Sequence, residues 1–436
     1  MDRGIFKKLL KVLEKKGETL PDSRKKGRNY RYELRNILMC AFFVFFFQHP
    51  SILDFQRKMK SQRRRNNMES MFGINKIPGD TQIRNILDPI FPEQFGSVFN
   101  ECLHVTVEHD PRILQRYRVL DGGVLMALDG VWYFLSENIS CKHCLHKTTV
   151  NKKTQEEKTT YYHTMLAATI VRPGKTEVLP VMGEMIRNED GKEKQDCERN
   201  AAKRWLARYA QEYSWLKPTL LGDDLFSNQP FCEAVLQAKM SFIFTCKPDS
   251  HKCLSETVEN SYLDEKIVRK WTGSYNKSST YRWINGVPLR DSKDALMVNY
   301  FYLQIRNEKT GDVMYTCSWV TDKEITAENV EHLAQCARAR WKIENEHNNV
   351  LKNHGYNLEH NFGHGQKHAS EMYCLLNLLA FMIHTILTYA DDLYGKARQR
   401  HGRRTEFFIH LRAGMWYVLH ESWDSFLQCV IGEDPD

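Results

Sequence analysis

Three acidic residues in this chain of 436 stand where acids are unusual. Asp129 lies in VLMALDGVWYF, inside a run of strand-forming apolar residues where aspartate is disfavoured. Asp223 closes KPTLLGDD directly after Gly222. Acids at the C-terminal ends of strands in open α/β sheets are a common place for chemistry. Glu344 lies in ARWKIENEHNNVLKNHG, Ala339 to Gly355, which also holds Glu346. On one helical wheel of ~100° per residue drawn from Thr326 to Lys352, Val330, Leu333, Ala337 and Trp341 share an apolar arc of about 80°. Glu344 continues that arc, and Glu346 falls roughly opposite. A lone buried carboxylate is costly, so Glu344 calls for a cation: arginine, lysine or a metal. Singly, each acid is equally a cap, turn or ion-pair residue. As an ordered set they suit a shared divalent metal, and all-oxygen ligands favour Mg²⁺ or Mn²⁺.

A softer set lies elsewhere. Cys141-Lys-His-Cys144 is half a zinc site, with His143 and His146 adjacent. His163, in YYHTML, and Cys197, in QDCE, are the expected partners for a structural Zn²⁺, with ordinary unbound thiols as the alternative. Five histidines crowd the 24 residues after Glu344: His347, His354, His360, His364 and His368. HNFGHGQKH reads as a glycine-containing loop, so DNA contact or local hydrogen bonding is expected of them rather than a second metal. The 12 cysteines are scattered and form no secreted framework.

The elements that must position these residues change character along the chain. Residues 1–110 read as helical, with a helical pattern from Tyr30 to Gln48, another after Pro50, and a short helix capped by Thr81 or Asp80. Residues 1–70 carry 18 Lys/Arg against 7 Asp/Glu, a charge of +11 within a net +8. A basic module on a near-neutral body suggests an anionic partner, nucleic acid before membrane. Residues 111–245 read as three strands, helix, strand, helix, strand, the first three an antiparallel meander. Residues 246–325 read as a β-rich insertion, and 326–436 as helical. The apolar runs Ile37 to Phe47 and Met372 to Ala390 read as buried core helices. The first spans only ~16 Å, and Asn377 and His384 interrupt the second. No secretory signal is visible, and a reducing cytosol is expected.

The set Asp129, Asp223 and Glu344 resembles the DDE triad of bacterial insertion-sequence transposases. RWKIE, Arg340 to Glu344, resembles the Tyr-x-x-Arg-x-x-x-Glu-x-x-x-x-x-x-Lys signature of their IS-four-type group. Arg340 and Glu344 fit that spacing; Ala337 takes the tyrosine position, and the lysine falls one residue late at Lys352. GDDLF matches the group's acid with an aromatic three residues on, Asp223 and Phe226, which favours Asp223 over Asp224. FFQHPSILDFQR, KQDCERNAAKRWL and ENEHNNVLKNHGYNLEHNFGHG are similar to further landmarks of the group.

The resemblance implies an α/β fold with a ribonuclease-H-like core, interrupted by a β-rich insertion and flanked by helical N- and C-terminal regions. It implies two Mg²⁺ (or Mn²⁺) ions, with Asp129 bridging and Asp223 and Glu344 each holding one. It implies cleavage at transposon ends and strand transfer into target DNA, by a homodimer on double-stranded DNA in the bacterial cytoplasm. Arg340, Lys352 and the basic loop with Arg63, Arg64 and Arg65 are the expected DNA contacts. A catalytically silent DNA-binding descendant and a two-metal nuclease on the same core are the alternatives.

Overall fold

A computed structural model describes residues 4–27, 30–60, 66–187, 196–271 and 276–432. Arg63, Arg64 and Arg65 lie outside the described residues.

Seven helices come first: α1 (Ile5–Thr19), α2 (Leu34–Phe46), α3 (Ile52–Lys60), α4 (Asn67–Phe72), α5 (Asp80–Leu87), α6 (Ser97–His109) and α7 (Pro111–Gln115). Four strands come next: β1 (Leu125–Ser136), β2 (Leu145–Val150), β3 (Glu157–Val171) and β4 (Leu179–Ile186). After them come α8 (Glu198–Tyr213), β5 (Thr219–Gly222), α9 (Gln229–Gln237), β6 (Ser241–Thr245) and α10 (Lys252–Glu259). The strands β7 (Asp264–Trp271), β8 (Asn276–Pro288), β9 (Met297–Asn307) and β10 (Val313–Thr321) complete the β structure. The chain ends in α11 (Val330–Arg338), α12 (Asn349–Asn353), α13 (Ala369–Ala390), α14 (Asp392–Arg400), α15 (Arg404–Tyr417) and α16 (Trp423–Ile431).

The strands form one mixed sheet in the order β2-β3-β1-β5-β6-β10-β9-β8-β7, with β4 also on β3. β1 runs antiparallel to β3 and parallel to β5, and β5 runs parallel to β6. The four strands of 246–325 are not a detached module. β10 pairs antiparallel with β6, opposing Val320 to Phe244, so the sheet continues unbroken across the segment. Two elements differ from the sequence reading. β2 is an extra strand whose residues after Leu145 are exposed, so it carries no apolar alternation. α10 is a helix inside the segment read as β, burying only Leu254 and Val258.

α2 is buried along nearly its whole length and packs against α1 and α13. α13 is long and apolar enough to cross a membrane, but it is enclosed by β4 and the N-terminal helices. Its polar interruptions find hydrogen-bond partners inside the fold. Asn377 accepts from Gln48 Nε2 at 3.0 Å and donates to the Tyr356 carbonyl at 2.8 Å. His384 meets the Tyr356 hydroxyl at 2.9 Å, and burial pushes its pKa down to about 3. α5 starts at Asp80 behind Gly79 as its cap, not Thr81 or Asp80. Gln56 Oε1 takes the Asp80 N–H at 3.0 Å, which removes the need for a side-chain cap.

The single helix expected from Thr326 to Lys352 is broken. α11 stops at Arg338, and a wide π turn occupies Ile343–Asn348 before α12. A π turn takes an extra residue and rotates the residues after it about the helix axis, and such turns often sit at functional sites. The helix already breaks at a turn over Ala339 and Arg340, ahead of Trp341, so Trp341, placed on the buried arc by the wheel, is 50% exposed, while Ile343 is fully buried.

Candidate functional site

Asp129 and Asp223 are placed by adjacent parallel strands. Ala127 of β1 lies opposite Leu221 of β5. Each aspartate comes two residues further on, so the two project from matching positions. Asp223 opens a tight turn: its Oδ1 accepts the Leu225 N–H at 2.9 Å and its carbonyl the Phe226 N–H at 3.1 Å. The buried Phe226 ring lies against Gly222, where a Cβ would come within 2.7 Å of it. The sequence GDDLF thus builds the turn that holds the acid. Asp224 faces elsewhere, accepting the Lys247 N–H at 2.6 Å with His251 Nε2 at 3.5 Å.

The π turn packs on β1 and β3 and brings Glu344 to the same place. Burial first, then the charges of Glu344, Glu198 and Asp223, raise the Asp129 pKa to about 7, with Arg340 opposing. Glu198, the first residue of α8, is itself raised by burial and then by Asp223. A Cβ on Gly130 would fall 2.0 Å from Glu198 Oε1, so the α8 N-terminus lies directly against β1 beside Asp129. Asp129 thus lies within electrostatic reach of three other carboxylates. Arg340 pairs with Glu344 at 2.8 Å.

Asn348 steadies the group. Its Nδ2 donates to Asp129 Oδ2 at 3.1 Å, and its Oδ1 accepts from His347 Nδ1 at 2.8 Å. His347 is fully buried, which pushes its pKa down to about 4 and keeps it neutral. Among the described residues, the group whose ligand atoms already converge for a metal is the Cys/His cluster; a divalent cation among these acids would relieve the repulsion at Asp129.

Cys141, Cys144 and His163 converge, as expected, but Cys197 does not join them. Cys197 is exposed at the N-cap of α8, the helix whose start abuts Gly130. The thiols instead lie near Phe134, further along β1, where the Phe134 and His163 rings are 5.7 Å apart. His364 takes the fourth place, contrary to its reading as a loop residue with only local or DNA contacts. This buried Cys/His cluster can bind a metal such as zinc. The Cys144 thiol, with the His163 and His364 rings, holds the Cys141 thiol well below the usual thiol range, outweighing burial.

Lys352 pairs with Glu359 at 2.7 Å, and Glu346 is half-buried on the π turn. Glu198, Asn348 and His364 are the residues that sequence reasoning missed. An acid in the first turn of a helix is ordinary because it suits the helix dipole, so Glu198 gave no signal. His364 had one: it is flanked by Gly363 and Gly365, both with positive φ. The chain matches no protein-family model and no curated protein.

Proposed function

We propose that the chain is a DDE transposase, cutting DNA at the ends of a mobile element and joining them to target DNA on a ribonuclease-H-like core. The observation that carries this reading is the placement of Asp129 and Asp223 at matching positions of two parallel strands, with the charges of Glu344, Glu198 and Asp223 all raising the Asp129 pKa. The sheet supports it: an antiparallel group, β3 and its partners, precedes the parallel trio β1, β5 and β6, as expected of a ribonuclease-H-like core.

Asp129, Asp223 and Glu344 would hold two Mg²⁺ or Mn²⁺ ions, with Glu198 close enough to add a ligand or a charge. Bound there, the ions supply Lewis-acid polarisation of the phosphate and of the attacking oxygen. The chain's own residues do the positioning. Asn348 fixes one Asp129 oxygen. Arg340 sets the rotamer of Glu344 and, on exchanging partners, offers its guanidinium to a phosphate. Arg338, Lys342 and the half-exposed Trp341 border the same segment, a combination suited to backbone and base contacts. The +11 charge of residues 1–70 suits end binding.

A labelled-end assay tests the reading. DNA carrying the inverted repeats that flank the gene should be cut and joined to a plasmid only with Mg²⁺ or Mn²⁺. Cutting without joining would favour a two-metal nuclease, and binding without either would favour a silent DNA-binding descendant.

A further inference from the structure

We propose that Cys141, Cys144, His163 and His364 bind one zinc ion, and that this ion clamps the loop ahead of α13 to β3 and to the β1–β2 connection. The inference does not depend on the proposed transposase activity.

Five of the six separations match a tetrahedron's edges, and the sixth, Cys141 Sγ to His364 Nε2, lies within 4.8 Å. Zn–S bonds of about 2.3 Å and Zn–N bonds of about 2.0–2.1 Å require edges near 3.8 Å for S–S, 3.6 Å for S–N and 3.3 Å for N–N. Cys141 Sγ and Cys144 Sγ are 3.8 Å apart. His163 Nε2 is 3.6 Å from Cys141 Sγ and 3.4 Å from Cys144 Sγ. His364 Nε2 is 3.4 Å from Cys144 Sγ and 3.0 Å from His163 Nε2. All four atoms lie within 4.8 Å of one another. A disulfide would need the sulfurs at about 2.05 Å. Two thiolates and two imidazoles in tetrahedral array select zinc.

The surroundings aim the ligands. His364 Nδ1–H donates to the Gly365 carbonyl at 3.0 Å, which leaves the Nε2 lone pair pointing at the sulfurs. Phe134 packs on the His364 ring at 4.3 Å, and Tyr133 stacks on His163 at 5.6 Å. Gly363 and Gly365 have φ of +119° and +73°, which turn the loop sharply on both sides of His364. A Cβ on Gly365 would sit 2.3 Å from Asp88 Oδ1. The Asp88 carboxylate accepts the N–H groups of Gln366, Lys367 and Ala369, fastening the loop's far side. Binding displaces whatever proton remains on the two sulfurs to solvent and involves no redox change.

The ion would join the loop after the Glu344-bearing turn to the sheet that carries Asp129. The full chain, purified under reducing conditions without added metal, should contain about one zinc. Cobalt exchanged into it should give the intense red-region bands of a tetrahedral thiolate site. Cys197→Ser should keep the zinc, His364→Ala should lose it, and His364→Cys should retain it with an altered cobalt spectrum. Chelation should speed tryptic cleavage after the exposed Lys367. Less than about 0.2 zinc per chain with no cobalt spectrum would overturn the site. So would zinc loss in Cys197→Ser, or a Cys141–Cys144 disulfide in the isolated protein. Unchanged cleavage at Lys367 after chelation would overturn the clamp. Should His364→Ala not fold, the cobalt spectra of the native chain and of His364→Cys decide.

Discussion

Replacing Gly130 by alanine tests whether Glu198 belongs to the carboxylate group. Gly130 has no positive φ, so alanine fits the backbone. The new Cβ would lie 2.0 Å from Glu198 Oε1 and 2.5 Å from its Cδ. Ordinary contact needs about 3.5 Å, so the carboxylate must retreat by roughly 1–1.5 Å. The clashing atoms are the far end of a flexible side chain, so the fold absorbs the change. Stability should hold, or rise by up to about 1 kcal/mol from the lost glycine entropy. Misplacing a catalytic group by about 1 Å costs on the order of 10²-fold in rate, and disturbing a group around a metal costs about 10–100-fold in affinity. Free Mn²⁺ measured by electron paramagnetic resonance gives the affinity, and cleavage of labelled end DNA gives the rate. Gly130→Ala should weaken both while leaving the melting temperature in place. Adding Glu198→Asp, one carbon shorter, should recover part of the loss. Native Mn²⁺ affinity in Gly130→Ala would refute the reasoning and leave Glu198 as a helix-terminal acid.

Glu344→Gln should abolish cleavage while leaving end binding intact, and Glu346→Gln should be milder; equal losses in a parallel cleavage assay would mean that the π turn does not single out Glu344. Glu371→Ala removes a buried carboxylate bonded to Arg187 at 2.7 and 3.0 Å and to His368 at 2.7 Å. Because Arg187 keeps Glu93 at 2.6 Å, the loss should sit near the lower end of the usual 3–5 kcal/mol, about 3 kcal/mol by urea titration. DNA affinity of the full chain should fall steeply with salt, by about 0.9 in log–log slope for each phosphate contact, in fluorescence anisotropy. Replacing the exposed Lys7, Lys11, Lys15, Lys25 and Lys26 by glutamine should flatten that slope while leaving the buried helices intact.

Much of the site's chemistry was legible as residue types in unusual places. Asp129 could be singled out because an acid interrupts an apolar strand, and Asp223 because GDDLF announces a strand end and its turn. Glu344 was found by a wheel whose geometry does not hold. The turn at Ala339 and Arg340, followed by the π turn, breaks the period, so Trp341 came out on the wrong side although Glu344 stays within electrostatic reach of Asp129. Local patterns cannot reveal a change of helical period made by tertiary packing. Nor can they reveal partners distant in sequence: His364 reaches Cys144 only because β2 to β10 and the helices α8 to α12 fold between them. The expected ligand Cys197 failed for the same reason, since nothing local says at which end of β1 the start of α8 docks. The helical ends and most strands were legible from apolar periodicity. β2 and α10 were not, because both bury little.

The central claim is that Asp129, Asp223 and Glu344 form one hard-metal site. Anomalous scattering from a crystal soaked in Mn²⁺ tests it most directly. The account predicts density within bonding distance of both the Asp129 and Asp223 carboxylates, lost in an Asp129→Asn crystal. Mn²⁺ density confined to the Cys141–Cys144 cluster, or none among the four carboxylates, would contradict it.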